Sequence, residues 1–167
     1  FMPAKTPPHK LGKKVSDFSL RKDMINLAIR DHKGFYFSDF ENTLEGNSYT
    51  FNTLEKLQDK YYNDKFYFIM GADSFYEIET WKNPDIIMSL ATLLVAGREY
   101  ENKSLSMESM AGKLRSKYSA DIRFIDFKEM DISSHTIREM VANNEDASEY
   151  LPQKVYNYIK ENNLYKN

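Results

Sequence analysis

A chain of 167 residues suits one domain, and 41% hydrophobic with 14% aromatic residues is enough to build a core, which excludes a disordered chain. A net charge of -2 excludes bulk attraction to DNA, RNA or anionic lipid, and zero cysteines exclude disulfides and thiolate metal sites. The lack of cysteine fits a reducing cytoplasm. There is no run of about 18 apolar residues to cross a membrane, and no apolar segment follows the charges of residues 1–10 as a signal peptide requires.

Phe1, Met2 and Pro3 read as the tail of a strand entering a polar loop punctuated by Pro7, Pro8 and Gly12. Leu20, Met24, Leu27 and Ala28 recur at helical spacing, which predicts a helix over 20–32 with Ser19 as its cap and Gly34 beyond its end. The aromatic run 35–40 predicts a short strand. Phe51, Leu54 and Leu57 give the next helix an apolar stripe, with Thr50 as its cap. FYFIM at 66–70 predicts a strand covered on both faces. Asp73 then caps a short helix reaching Thr80, and Pro84 opens another over 85–90. TLLVA at 92–96 is a second buried strand. A helix over 107–118, a strand over 121–127 and helices over 134–143 and 152–162 complete the chain. Alternating strands and helices predict an α/β fold: a parallel sheet with helices on both faces, its ligands beyond the carboxyl ends of the strands.

Chemistry is therefore sought just after the strands. Gly71 permits close backbone approach, and Asp73 can accept from sugar hydroxyls; a tight turn with a capping aspartate needs the same residues. Ser133, Ser134 and Arg138 offer two hydroxyls and a guanidinium at a helix start, where free N–H groups favour an anion. A serine cap with a solvent-facing arginine is the simpler reading. Trp81, the single tryptophan, suits packing or stacking on a planar heterocycle. His9, Lys10 and Arg98 suit phosphate or solvent alike. His32 sits at a predicted helix end, and no His and carboxylate spacing marks a metal site. Nucleophile elbows and P-loops are absent.

In order, the strings FMPAKTPPHK, SYTFNTLEKL, FIMGADSFYEIETW, LLVAGR, DISSHTIREMV and YLPQKVYNYIKENNLY resemble the bacterial nicotinate-nucleotide adenylyltransferase family across nearly the whole chain. The resemblance implies a Rossmann-like nucleotidyltransferase fold. It implies transfer of AMP from ATP to nicotinate mononucleotide in NAD biosynthesis, with release of pyrophosphate and with Mg²⁺ accompanying ATP. It implies ATP contacts from Gly71, Asp73, Ser133, Ser134, Ile137 and Arg138. Acceptor contacts are implied for Tyr49 and Thr50 at the nicotinate carboxylate and for Trp81 on the pyridine ring. His9, Lys10 and Arg98 match basic positions near the phosphates and are counted with the nicotinate mononucleotide contacts. A homo-oligomer is compatible with the resemblance, while nucleic acid and membrane are not expected as partners.

His135 stands where the family has threonine. The family's opening H-x-G-H segment has no counterpart here, so catalytic residues are not assigned, and the 167 residues are read as a single domain lacking an N-terminal portion. A sister adenylyltransferase with another acceptor, such as phosphopantetheine, and an inactive nucleotide-binding module are the alternatives.

Overall fold

The computed structural model describes residues 1–5, 16–97, 106–126 and 132–166. Their contacts define two units, one made of Phe1–Asn47 and Met130–Asn167, the other of Ser48–Glu129.

The continuous unit holds the sheet. Strands β1 (Phe66–Gly71), β2 (Ala91–Ala96) and β3 (Ile122–Ile125) lie parallel in the order β1-β2-β3. Phe66 pairs with Ala91 and Gly71 with Ala96, so the carboxyl ends of β1 and β2 finish level. Central β2 is apolar because it is buried: Leu93 and Val95 are wholly inaccessible. Helices α3 (Thr50–Lys60), α4 (Ala72–Tyr76), α5 (Pro84–Leu90) and α6 (Met107–Tyr118) supply its cover, and Leu54, Phe75, Ile87 and Leu114 join one core with Leu93 and Val95. At the amino ends the hydroxyl of buried Thr92 donates to Asp121 Oδ2 at 2.7 Å, and Leu93 N donates to the Asp121 carbonyl at 2.8 Å. The Thr92 hydroxyl, then Arg123, holds the Asp121 carboxyl below its ordinary range.

The other unit pairs α1 (Phe18–Ile29) with α8 (Gln153–Glu161) and contains the turn α2 (Phe40–Thr43) and α7 (Ser134–Ala142). Val141, Ala147, Val155 and Ile159 form its core, with Met24, Leu27 and Ile137 against them. Tyr158 OH donates to Asp23 at 2.9 Å, and Lys154 pairs with Asp31.

The helix over 107–118 falls where its sequence predicts, because Ser106 caps it by accepting from Ser109 N at 3.1 Å. Other expectations are corrected. FYFIM is not covered on both faces: Tyr67 is 49% and Ile69 67% exposed, so only one face of β1 meets the core. Residues 35–40 form no strand. Phe1 N donates to Tyr36 O at 2.5 Å and Ser38 N to Phe1 O at 2.8 Å. No longer ladder develops, and Phe40 already begins α2.

Asp17, not Ser19, caps α1, which stops at Ile29, so His32 lies beyond the helix in a turn bonded to Ile29 O. Tyr49, not Thr50, caps α3, and Gly71, not Asp73, caps α4, because each cap holds extended backbone while its successor is already helical. The helix after Asp73 breaks at Glu77 into a separate 3₁₀ turn, Ile78–Thr80. The third strand is limited to Ile122–Ile125, the last helices end at Ala142 and Glu161, and Phe127 lies outside the described residues.

Candidate active site

Within the sheet unit, β1 delivers Gly71 to the level carboxyl end of the sheet, where the chain turns straight into α4. Gly71 has extended backbone (φ -78°, ψ 162°), and a Cβ added there would meet nothing within 4 Å. The space above it is open, which suits a ligand approaching the backbone. Asp73 is exposed in the first turn of α4. Ala72, between them, is buried and anchors the turn in the core.

Trp81 leaves the 3₁₀ turn in extended conformation, with its N–H bonded to Ile78 O at 3.1 Å. Its half-buried indole meets Phe68 edge-on, with centroids 6.1 Å apart and planes at 76°, and packs partly against the core. The next residue reaches across to the start of α3. Lys82 Nζ stands 4.6 Å from the Tyr49 ring centroid and 5.8 Å from that of Phe51. The segments Tyr49–Thr50 and Trp81–Lys82 are thereby side by side. An indole, the N–H groups that open an 11-residue helix and an ammonium together suit a flat aromatic acid. Spacing did not single out Lys82; its place next to Trp81 was the only signal available.

In the second unit, Ser133 caps α7 by accepting from Thr136 N at 3.0 Å, and its hydroxyl meets Thr136 Oγ1 at 2.8 Å. Part of its hydrogen-bonding capacity therefore serves the helix. Ser134 and Arg138 are exposed, while half-buried Ile137 packs on the unit's core, which fixes the face that α7 presents. Arg138 lies one turn beyond Ser134, so both can serve one anion at the helix start. His135 does not join them in an internal bond; its Nε2 faces Glu139 Oε1 at 3.4 Å on the exposed surface. His9, Lys10 and Arg98 lie outside the described residues.

A parallel α/β sheet with helices about it is the fold of a nucleotidyltransferase-like domain, and the family model described as cytidylyltransferase-like matches residues 1–140. A protein of Clostridium botulinum (strain Eklund 17B / Type B), named probable nicotinate-nucleotide adenylyltransferase, is 42% identical over 168 residues, covering 99% of this chain and 82% of that protein. A relative of the same name from Clostridium acetobutylicum is 38% identical over 165 residues, with 99% and 82% covered. The chain belongs to the nicotinate-nucleotide adenylyltransferase family. The fold also matches a solved Plasmodium falciparum nicotinic acid mononucleotide adenylyltransferase complexed with NaAD. There the TM-score is 0.74 at 18% identity, over 98% of this chain and 80% of that one.

Proposed function

We propose that this chain transfers AMP from ATP to nicotinate mononucleotide, giving nicotinate adenine dinucleotide and pyrophosphate in NAD biosynthesis. Membership of the nicotinate-nucleotide adenylyltransferase family over 99% of the chain carries the reading. In the reaction, an oxygen of the acceptor's 5′-phosphate attacks the α-phosphorus of ATP. The bond from that phosphorus to the β-phosphate bridge oxygen breaks, and pyrophosphate leaves with the electron pair.

Such a transfer needs positioning and charge stabilisation more than covalent help from the protein. Trp81 stacks on the pyridine ring, and Tyr49 and Thr50 meet its carboxylate at the start of α3. Gly71 and Asp73 bind beside the nucleotide sugar. Ser133, Ser134 and Arg138 hold ATP phosphate at the start of α7, while Ile137 seats that helix. His9, Lys10 and Arg98 add positive charge near the phosphates, and the reaction is placed in the cytoplasm.

Mg²⁺ belongs to this reading as the partner of the ATP phosphates, whose charge it neutralises when bound. Among the described residues, no three His, Asp or Glu side chains are grouped to cage a metal. At nucleotide sites Mg²⁺ is usually held largely by substrate phosphates and water, and no described side chain is assigned to it.

The test is pyrophosphate release by the intact protein with ATP and nicotinate mononucleotide. Pyrophosphate and nicotinate adenine dinucleotide are expected in equal amounts. Turnover with phosphopantetheine instead identifies a sister transferase, and ATP binding without turnover on either acceptor identifies a binding module; each result overturns the proposal.

A further inference from the structure

Two residues before Trp81, the carboxylate of Glu79 collects three donors. Lys113 Nζ bonds to Oε2, while Lys117 Nζ at 2.8 Å and Tyr118 OH at 3.1 Å bond to Oε1. All three come from the last two turns of α6, 34 to 39 residues further along the chain. The Glu79 side chain is only 20% exposed, against 49% and 56% for the two lysines. An exposed surface ion pair usually contributes little to stability. This one differs in that a single carboxylate sits under three donors from one helix face. Lys113 and Lys117, one turn apart, repel each other unless an anion lies between them.

The same short turn is fixed on its other side. Ile78 is wholly inaccessible in the core. Thr80 Oγ1 donates to Glu77 O at 2.7 Å, and Trp81 N to Ile78 O at 3.1 Å. The Ile78–Thr80 turn is thus nailed to the core by Ile78 and tied to α6 by Glu79, and Trp81 projects from its last hydrogen bond. The turn has only three residues and lies between α4 and α5, both of which contact it. Core packing and the edge contact with Phe68 hold the indole on one side; the tie from Glu79 to α6 is a polar anchor of the turn that carries it.

We propose that Glu79 is a positioning residue: its clamp on Lys113, Lys117 and Tyr118 sets the orientation of Trp81, and with it the surface offered to the acceptor's aromatic ring. The consequence for the acceptor rests on the reading that Trp81 stacks on that ring; the orienting role of the clamp does not. Glu79 is not a catalytic residue, since it acts through Trp81. Its carboxylate is held down to about 2, first by the bond from Lys113 and then by that from Lys117, so it stays charged throughout the neutral range.

Trp81 is the only tryptophan of the chain, so its fluorescence reports the clamp without reference to catalysis. The intact protein is compared with Glu79→Gln and with the double variant Lys113→Met/Lys117→Met, which leaves Glu79 in place; Trp81→Phe provides the blank. Both variants are expected to show greater acrylamide quenching of Trp81 and a shifted emission maximum. Both are also expected to raise KM for nicotinate mononucleotide about 2- to 10-fold, the range of a lost stacking contact, with KM for ATP unchanged. If quenching changes while KM for the mononucleotide does not, the clamp stands and the stacking role of Trp81 falls. Unchanged quenching and emission in both folded variants overturn the proposal, even if Tm drops.

Discussion

A Cβ placed on Gly97 would stand 2.9 Å from the Cβ of Ala72. Gly97 follows β2 with φ +138°, and Ala72 opens α4 directly after Gly71. The end of the central strand therefore touches the turn that carries Gly71 and Asp73. Replacing Gly97 with alanine forces both a disfavoured backbone angle and an overlap with a buried side chain. The expected loss is about 1–3 kcal/mol of stability, the range for overpacking, measured by denaturant unfolding. Adding Ala72→Gly should recover part of it by removing the overlap. A fully stable Gly97→Ala protein would contradict the contact.

Ser133 and Arg138 are expected to separate stability from binding. Ser133→Ala removes the acceptor for Thr136 N and should cost about 0.5–2 kcal/mol of stability, as lost helix caps do. The exposed Arg138 side chain makes no hydrogen bond or ion pair among the described residues. Arg138→Ala should leave stability within about 0.5 kcal/mol and weaken ATP binding by about 1.5–3 kcal/mol, the range for a bond to a charged group. Calorimetry on both variants decides the matter; an unchanged ATP affinity in Arg138→Ala removes α7 from the phosphate site.

Trp81→Ala should raise KM for nicotinate mononucleotide by about 2- to 10-fold through loss of stacking, well beyond any change for ATP. Because Trp81 also packs on Phe68, some loss of Tm accompanies it. Equal rises in both KM values would mean that the indole is packing alone.

Acid should be preferred over amide. N–H groups at the start of α3 and the nearby Lys82 ammonium favour a carboxylate. A carboxamide presents an NH₂ to donors, leaving groups unpaired at a cost of about 1–3 kcal/mol. The expected ratio of kcat/KM for nicotinate over nicotinamide mononucleotide is roughly 5 to 150. Equal values, or a preference for the amide, sink this reading of Tyr49 and Thr50.

Glu79 also predicts a pH dependence of stability. Its carboxyl is lowered from an ordinary value of 4.5 to about 2, chiefly by Lys113. A depressed carboxylate stabilises the fold fully above the unfolded value and loses that contribution as pH falls through the folded one. The intact protein should therefore exceed Glu79→Gln in stability above pH 4.5, with the gap closing as pH falls toward about 2. A gap independent of pH would mean that the ion pairs contribute nothing.

Legibility in the sequence followed whether the signal was local. The helix over 107–118 was legible in its bounds, while its Ser106 cap came only from the structure; Pro84 marked the start of α5. FYFIM misled because a dense apolar run reports side-chain character and not whether both faces are covered; Ile69 is 67% exposed among the described residues. The aromatic run 35–40 bonds to Phe1 at Tyr36 and Ser38 but passes directly into α2 at Phe40, which its aromatic character does not report. At the candidate site, the order of strings along the chain nominated Gly71, Asp73, Trp81 and the α7 start, and the fold sets Gly71 and Asp73 at the end of β1. Glu79 with Lys113 and Lys117 was not, because no periodicity links residues 34 and 38 apart.

The pairing of α1 with α8 bears on how the protein is made. Asp31 meets Lys154 across 123 residues, and Asp23 meets Tyr158 across 135, whereas the three described strands all come from the uninterrupted stretch Ser48–Glu129. On the ribosome, the strands can zip together and bury Leu93 and Val95 while α8 is still unsynthesised. During that interval α1 has emerged without its mate, its half-buried Met24 and Leu27 stripe turned toward water or a chaperone. Helix α1 is therefore made well before the partner it packs against, and the exposure of nascent chains to proteolysis should concentrate there.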